Sequence, residues 1–435
     1  MNTLNAIALF LAVAVAAPVL NAQQPHVGRS RVALGSSSSG AQQFRTDINP
    51  ALRYYQAFLE MPNLSEADQQ DLFARDWRGQ TLDKRFGDLV SRYDIEFRFL
   101  REAARAEVPC DWGIDLTEGP DALLPGLARA KNAAQAARLR VMWHLQNGRQ
   151  IEARDDLLAA FTLARNVSRD GVLVSAMVQM AAENLLGSVV AENFFHWQPE
   201  TLQQIADGFD AAPARGTVAQ CIPAERHSFH DWLLRKVQEL QQANPNNEAR
   251  TVERLSELFA RVGGEAEPDQ EFAARVIKAG GGTTEGVLRL IRDLAPMYDK
   301  VTALMNLPHG PFEEQMAPFM AEVEKHPNPL VPKLDTLFEK CRTKEFAAMV
   351  KQAMVRAGVE FKLRGEAGLK SVTDPCGKGP FAVRRFVFEG EDRGFELRST
   401  YHGRGHDEVL IFVEKNGTPF MIEGKNAGKR IPGSK

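Results

Sequence analysis

The chain is short of residues that cross-link a fold, and it has almost no excess of either charge. Among 435 residues there are four cysteines, five tyrosines and five tryptophans, and 53 basic residues nearly balance 56 acidic ones. So few cysteines exclude a scaffold held by a dense disulfide lattice, and a chain of this length buries enough apolar area to do without one. A formal net charge of -3 supplies no field that gathers polyanions, so no nucleic-acid partner is expected. There is no Gly-x-Ser-x-Gly elbow, Cys-x-x-Cys pair, HExxH helix or Gly-x-Gly-x-x-Gly fingerprint, which argues against the enzyme classes built on them. After residue 20 no run is long and apolar enough to cross a bilayer, so no integral membrane segment is expected in the mature chain.

The first feature present is an apolar run at residues 6–20, AIALFLAVAVAAPVL, followed shortly by the small Ala22. It is too short for a comfortable crossing and reads as an export signal over residues 1–22. The mature chain is then expected in the periplasm or outside the cell. The lack of a basic residue in MNTLN and the bulk of Leu20 leave an uncleaved membrane tether as the alternative. Residues 23–47, with GSSSSG at 35–40, are too polar to fix their own backbone and are expected as a disordered linker. In an oxidising compartment Cys110, Cys221, Cys341 and Cys376 are disulfide candidates with three possible pairings. Cys110 with Cys221 and Cys341 with Cys376 is preferred, because the second pair would staple the last long helix to the tail; a buried free thiol at Cys341 is the alternative.

From Asn49-Pro50 onward the periodicity is helical. Apolar stripes predict helices near 50–59, 66–76, 81–106, 120–145, 150–166, 172–197, 199–209 and 248–262. A further stripe, Val287, Leu290, Leu294, Met297, Val301 and Leu304, carries Pro296, which predicts a kink. The helix over 172–197 has no charge between Asp170 and Glu183 and should lie at the centre. Beyond about residue 374 the period changes to that of strands, expected at 381–388, 395–399, 409–413 and 419–422, with Asn416-Gly417 as a hairpin turn between the last two. The expected architecture is mostly α: an irregular α-α array over residues 48–365, with a small antiparallel β domain over 366–435 that packs on it.

Two stretches bear a resemblance to known families. Residues 141–167, VMWHLQNGRQIEARDDLLAAFTLARNV, place Gly148, Ala153, Leu157, Ala160 and Ala164 at offsets that resemble one tetratricopeptide-type helical hairpin. Arg140 and His144 stand where that pattern has apolar residues. DPCGKGPFAVRRF at 374–386 and GFELRS at 394–399 are similar to the C-terminal strand region of type II secretion major pseudopilins. The prepilin cleavage site and the calcium loop of that family are missing, so neither pilus assembly nor calcium binding is implied. Taken whole, the chain resembles uncharacterised exported bacterial proteins with tetratricopeptide-like helices, a group that implies no activity.

The candidate sites are weak clusters. In ERHSFHDW, residues 225–232, His227 and His230 share a helical face with Glu225 and Asp231 nearby, types that hold zinc or move protons. The alternative is a polar helix face. CDWGIDLTEGPDALLP, residues 110–125, sets Asp111, Asp115, Glu118 and Asp121 beside Trp112, as a carboxylate pair with a sugar-binding aromatic would be, or as a capping loop over a core tryptophan. HGRGHDE at 402–408 reads as a second imidazole cluster or a solvated turn, and AGGGTTEG at 279–286 as an anion loop or a linker. Two functions follow. The first is a non-enzymatic exported scaffold that binds a protein or peptide partner and needs no cofactor. The second is a metal-dependent or carboxylate-based hydrolase using Glu225, His230 and Asp231, with zinc on His227 and His230, or Asp111 and Asp115 of the acidic loop.

Overall fold

Polar caps and turn glycines cut the chain into helices whose apolar faces can be buried only against one another. The computed structural model describes residues 47–74, 77–78, 80–263, 267–402, 407–417 and 420–431, with the backbone alone at 334–337. The expected export signal and nearly all of the leader lie outside the described residues, as does Pro419 of the fourth expected strand.

Helix α1 (Pro50–Leu59) starts where the Asn49 side chain accepts from the Ala51 amide at 3.1 Å and proline fills the first turn. Ser65 and Asp83 cap α2 (Glu66–Phe73) and α3 (Lys84–Arg92) in the same manner. The single helix expected over 81–106 is in fact two. Tyr93 leaves helical geometry at φ -90°, ψ 0°, and α4 (Asp94–Ala103) sets off from it. This break lets α3 bury Phe86 and Leu89 against α5 (Gly126–Gln146), while α4 buries Phe97 and Leu100 against α1 and α6 (Gln150–Val167). A 3-10 turn, Gly119–Asp121, takes the place of the expected first turn of α5. Gly148, at φ +71°, reverses the chain between α5 and α6.

The expected central helix is α7 (Leu173–Glu192), which ends five residues earlier than its pattern suggested. By length and composition it could cross a membrane, yet 67% of that stretch is buried inside the fold. Its polar residues form a seam that neighbouring elements satisfy. Ser175 donates to Asp170 at 2.6 Å, Gln179 accepts from the Gly216 amide at 3.0 Å, Glu183 is held between Arg165 and Arg215, and Glu192 pairs with Arg138. A helix with buried ionic partners on one side is a core helix.

The remaining helices are α8 (Pro199–Ala211), α9 (Val218–Arg226), α10 (Trp232–Ala243), α11 (Glu248–Gly263), α12 (Gln270–Ala279), α13 (Thr284–Arg292), α14 (Ala295–Met305), α15 (His309–Glu324) and α16 (Val331–Lys370). A Thr217–Gln220 capping box opens α9, and a π-helical turn, His227–Asp231, joins it to α10. The kink expected at Pro296 is a full break, with the proline in the first turn of α14, where it needs no amide partner. Helix α16 bends sharply at Gly365, φ +62°.

Strands β1 (Ala382–Phe388), β2 (Glu391–Arg398) and β3 (Val409–Val413) form one antiparallel sheet in the order β1-β2-β3. The tight two-residue hairpin is Glu389-Gly390, both at positive φ (+51° and +82°), and it joins β1 to β2. At the expected Asn416-Gly417 turn only the glycine has positive φ, and the chain beyond it pairs through isolated bridges, Leu410 with Glu423 and Phe420 with Arg430. The sheet has no separate core. Phe395 and Phe412 stack at 4.9 Å and meet Phe194, just past α7, and Phe361 of α16. Gly358 of α16 lies so close to the Phe412 ring that an added Cβ would fall 2.2 Å from it. Glu423 reaches inward to Lys351 and to the Ser188 hydroxyl, which donates at 2.6 Å. The protein is therefore mostly α, with a small C-terminal sheet completing the centre of the helical body.

Candidate partner-binding groove

Where α4 ends, the chain leaves in a non-helical run to Pro109, a residue that cannot donate to a continuing helix. That run forms one wall of a groove of ≈ 450 Å³, within the usual range of roughly 300–1,000 Å³ for ligand clefts. The floor is one face of α6, with Leu158, Ala159, Thr162 and Asn166 recurring at helical spacing. The opposite wall is the end of α8 from Gly208 to Pro213, and Pro50 closes one end. Gly208 lets α8 approach, since a Cβ there would fall 2.6 Å from Leu158, and Phe161 stacks on Phe209 at 4.1 Å to hold the two helices together. Small residues on every side, Ala103, Ala104, Ala106, Ala159, Ala211 and Ala212, keep the space open.

The rim is electropositive. Arg105 and Arg169 are exposed on it, and neither guanidinium makes a hydrogen bond or ion pair among the described residues. Of the two acids present, Asp155 is occupied by Arg154, whose Nε and terminal nitrogen lie 2.9 and 2.7 Å from one carboxylate oxygen, leaving Glu107. Arg101, also on the rim, turns its guanidinium down to Asp156.

Beneath the floor Asp156 anchors a buried network that fixes the walls. It is fully buried, with Arg140 Nε at 2.7 Å and His144 Nε2 at 3.2 Å. Arg140 also donates to the Val90 carbonyl and to Asp94, both at 2.7 Å, and lies over the Phe97 ring at 4.5 Å. Burial alone would raise the Asp156 carboxyl, but the His144 contact and the Arg140 and Arg101 charges outweigh it and hold the group below the usual range. The two residues that depart from the tetratricopeptide pattern, Arg140 and His144, are thus the ones that tie α3, α4, α5 and α6 together.

The histidine cluster is arranged differently from its sequence reading. In the π turn, Asp231 stands between His230, whose Nδ1 is 2.7 Å away, and His227, at 3.4 Å. His230 is buried, whereas His227 and Asp231 are half exposed. Burial would raise the Asp231 carboxyl, but both imidazoles lower it further. Glu225 points away from them. It accepts from the Leu173 amide at 2.8 Å at the start of α7, where Asp170 accepts from Val172 at 2.9 Å. Burial is the chief cause that pushes Glu225 up to about 7 and Asp170 up to about 6.

The acidic loop docks on the same turn. A Cβ on Gly119 would fall 2.4 Å from the Trp232 ring, and Arg235 donates to the Thr117 carbonyl at 3.0 Å. Asp115 bonds the Thr117 hydroxyl at 2.7 Å and amide at 2.9 Å, contacts that lower its pKa, and Asp111 accepts from Gly113. Trp112 is a core residue, stacked on Tyr54 and Phe58 with its indole nitrogen 2.7 Å from the Asn166 carbonyl. The fold thus brings Asp115 within the influence of His227, leaves Glu225 and Asp111 elsewhere, and gathers no group of three metal-ligating side chains among the described residues.

The remaining sequence features are structural. The triple glycine at 280–282 is a tight turn before α13, capped by Thr283, and Gly286 packs against the Gly280 carbonyl. His402 pairs with Asp407 at 2.7 Å, while residues 403–406 lie outside the described residues. Asp374 binds Ser399 at 2.5 Å and the Cys376 amide at 3.0 Å, closing the Asp-Pro loop. All four cysteines are free thiols, buried except for Cys376, which is half-buried. Sequence reasoning missed Arg105 and Arg169, because two arginines in polar segments gain meaning only once the fold sets them across a groove.

No family model matches the chain, and no curated protein or solved structure matches it either.

Proposed function

We propose that the chain is an exported, non-enzymatic helical scaffold whose groove between α4, α6 and α8 holds an acidic, small-residue segment of a protein partner. The observation that carries this reading is the pairing of a low, apolar floor with two rim arginines that are unbonded among the described residues. An extended peptide with small side chains fits between the alanine walls, and a carboxylate on it meets a forked donor that binds such groups bidentately. The apolar run at 6–20 supports delivery of the scaffold to the periplasm or the exterior.

Fluorescence anisotropy of the chain from Gln23 onward, with labelled alanine-glutamate and alanine-lysine peptides, tests it. The acidic peptide should bind selectively, and Arg105→Glu with Arg169→Glu should weaken it by about tenfold or more, equivalent to about 1.4 kcal/mol. Equal binding of both peptides, or no loss in the double variant, overturns the reading. So does stoichiometric zinc in the purified chain that disappears when His227 and His230 become alanine, which would favour a hydrolase instead.

A further inference from the structure

Beyond the last ladder pair of β3 the chain turns at Asn416-Gly417, and both residues are exposed. The Gly417 amide donates to Oδ1 of Asn416 at 2.9 Å, and among the described residues no backbone carbonyl takes that N–H. The side-chain carbon that bears Oδ1 is thus within reach of the nitrogen that follows it in the chain, at a residue with no Cβ to obstruct the approach. On the other side of the same peptide unit, the Arg393 guanidinium donates to the Asn416 main-chain carbonyl at 3.0 Å. Its other terminal nitrogen pairs with Glu391 at 2.9 Å, which fixes it in place. A cation on that carbonyl draws electron density from the Gly417 nitrogen and stabilises the negative charge left when the amide loses its proton.

The chain has one other Asn-Gly pair, Asn147-Gly148, which is exposed as well. There the end of α5 occupies both reacting groups. The Gly148 amide donates to the Leu145 carbonyl at 3.0 Å, and the Asn147 side-chain amide donates to the Trp143 carbonyl at 2.8 Å.

We infer that Asn416-Gly417 is a self-modification site, at which the Gly417 amide attacks the Asn416 side chain with Arg393 assisting. The Gly417 nitrogen gives its proton to solvent and bonds to Cγ of Asn416. The bond from Cγ to Nδ2 breaks, and the side-chain nitrogen takes a proton from solvent and leaves as ammonia, so that a cyclic imide remains. Water then opens the ring. Cleavage of the new bond at Cγ leaves aspartate, whereas cleavage at the main-chain carbonyl carbon leaves isoaspartate, with the chain running through the former side chain. Each turnover consumes one water and releases one ammonia. Either product sets a carboxylate beside Arg393, whose Nε has no partner among the described residues. Isoaspartate also adds a methylene to the main chain between β3 and Glu423, the residue anchored to Lys351.

The purified folded chain is held in mildly alkaline buffer made with heavy-oxygen water, then digested in acid and mapped by fragmentation that separates aspartate from isoaspartate. The peptide containing position 416 should gain the label and appear as both isomers while Asn147 stays intact. In urea, where the fold no longer distinguishes the two pairs, both should convert at similar rates. Arg393→Gln should slow conversion at position 416 by about tenfold, as expected for losing a hydrogen bond from a charged donor, and Arg393→Lys should recover part of the rate. An unlabelled Asn416 in the folded chain, conversion of Asn147 as fast as that of Asn416 in the folded chain, or an unchanged rate in Arg393→Gln overturns the inference. The comparison of the two pairs needs no variant, so it stands whether or not the Arg393 variants fold.

Discussion

Glu96 is the most exceptional single side chain in the fold. It is fully buried on α4, and neither carboxyl oxygen has a hydrogen-bond partner among the described residues. Burial pushes its pKa up to about 8, against the opposing charges of Arg140 and Arg129. At neutral pH it is therefore mostly the uncharged acid, and ionising it costs the folded state alone. Glu96→Gln removes that cost, so urea unfolding above about pH 8 should find the variant more stable by a few kcal/mol, with the gain vanishing in mild acid. An equal difference at both pH values would assign the effect to shape. Glu96 was not legible in the sequence: a glutamate between Ile95 and Phe97 looks like any surface position of an amphipathic helix. Arg140 and His144 were more readable, since charge where a hairpin pattern calls for apolar residues signals a buried partner, here Asp156.

For whole elements, the expected ranges at 50–59, 150–166, 248–262 and 409–413 agree with the structure to within one residue, whereas the long stripes at 81–106 and 287–304 are each two helices. The α5–α6 hairpin and the central α7 follow directly from apolar spacing and from Gly148. The split at Tyr93 was hidden because both halves carry continuous stripes and only their different neighbours distinguish them. The Glu389-Gly390 hairpin was hidden for the opposite reason. Glutamate is a poor resident of the left-handed region, so the dipeptide carries no turn signal, and the register of the β1–β2 pair imposes the conformation. The groove was the least legible element, since it consists of what three separate segments leave unfilled. One contact between elements can be tested sharply. Gly358→Ala puts a methyl where the Phe412 ring now sits, so α16 and β3 must separate, at a cost of about 1–3 kcal/mol as overpacking typically exacts. A thermal unfolding temperature equal to that of the parent chain would mean that the sheet is not seated as described.

Across the molecule, the buried acids set a common pH dependence. Glu96, Glu225 and Asp170 all have folded pKa values raised above their unfolded ones. The stability they allow is complete below the unfolded carboxyl range and is lost as pH rises through about 6 to 8. Asp156 and Glu423 are lowered, despite burial, by their cationic partners. Their contribution holds above the unfolded range and disappears as pH falls below about 4. The unfolding temperature should therefore peak near about pH 5 and decline toward pH 8. A flat profile between those values would show that the three raised acids are solvated.

The placing of the sheet has a further consequence for the order of assembly. Phe412 and Glu423 close the middle of the body around Phe194 and Lys351, yet they follow α16, the last of the α-helices described. A nascent polypeptide that has emerged only as far as α16 therefore lacks these two contacts at its centre.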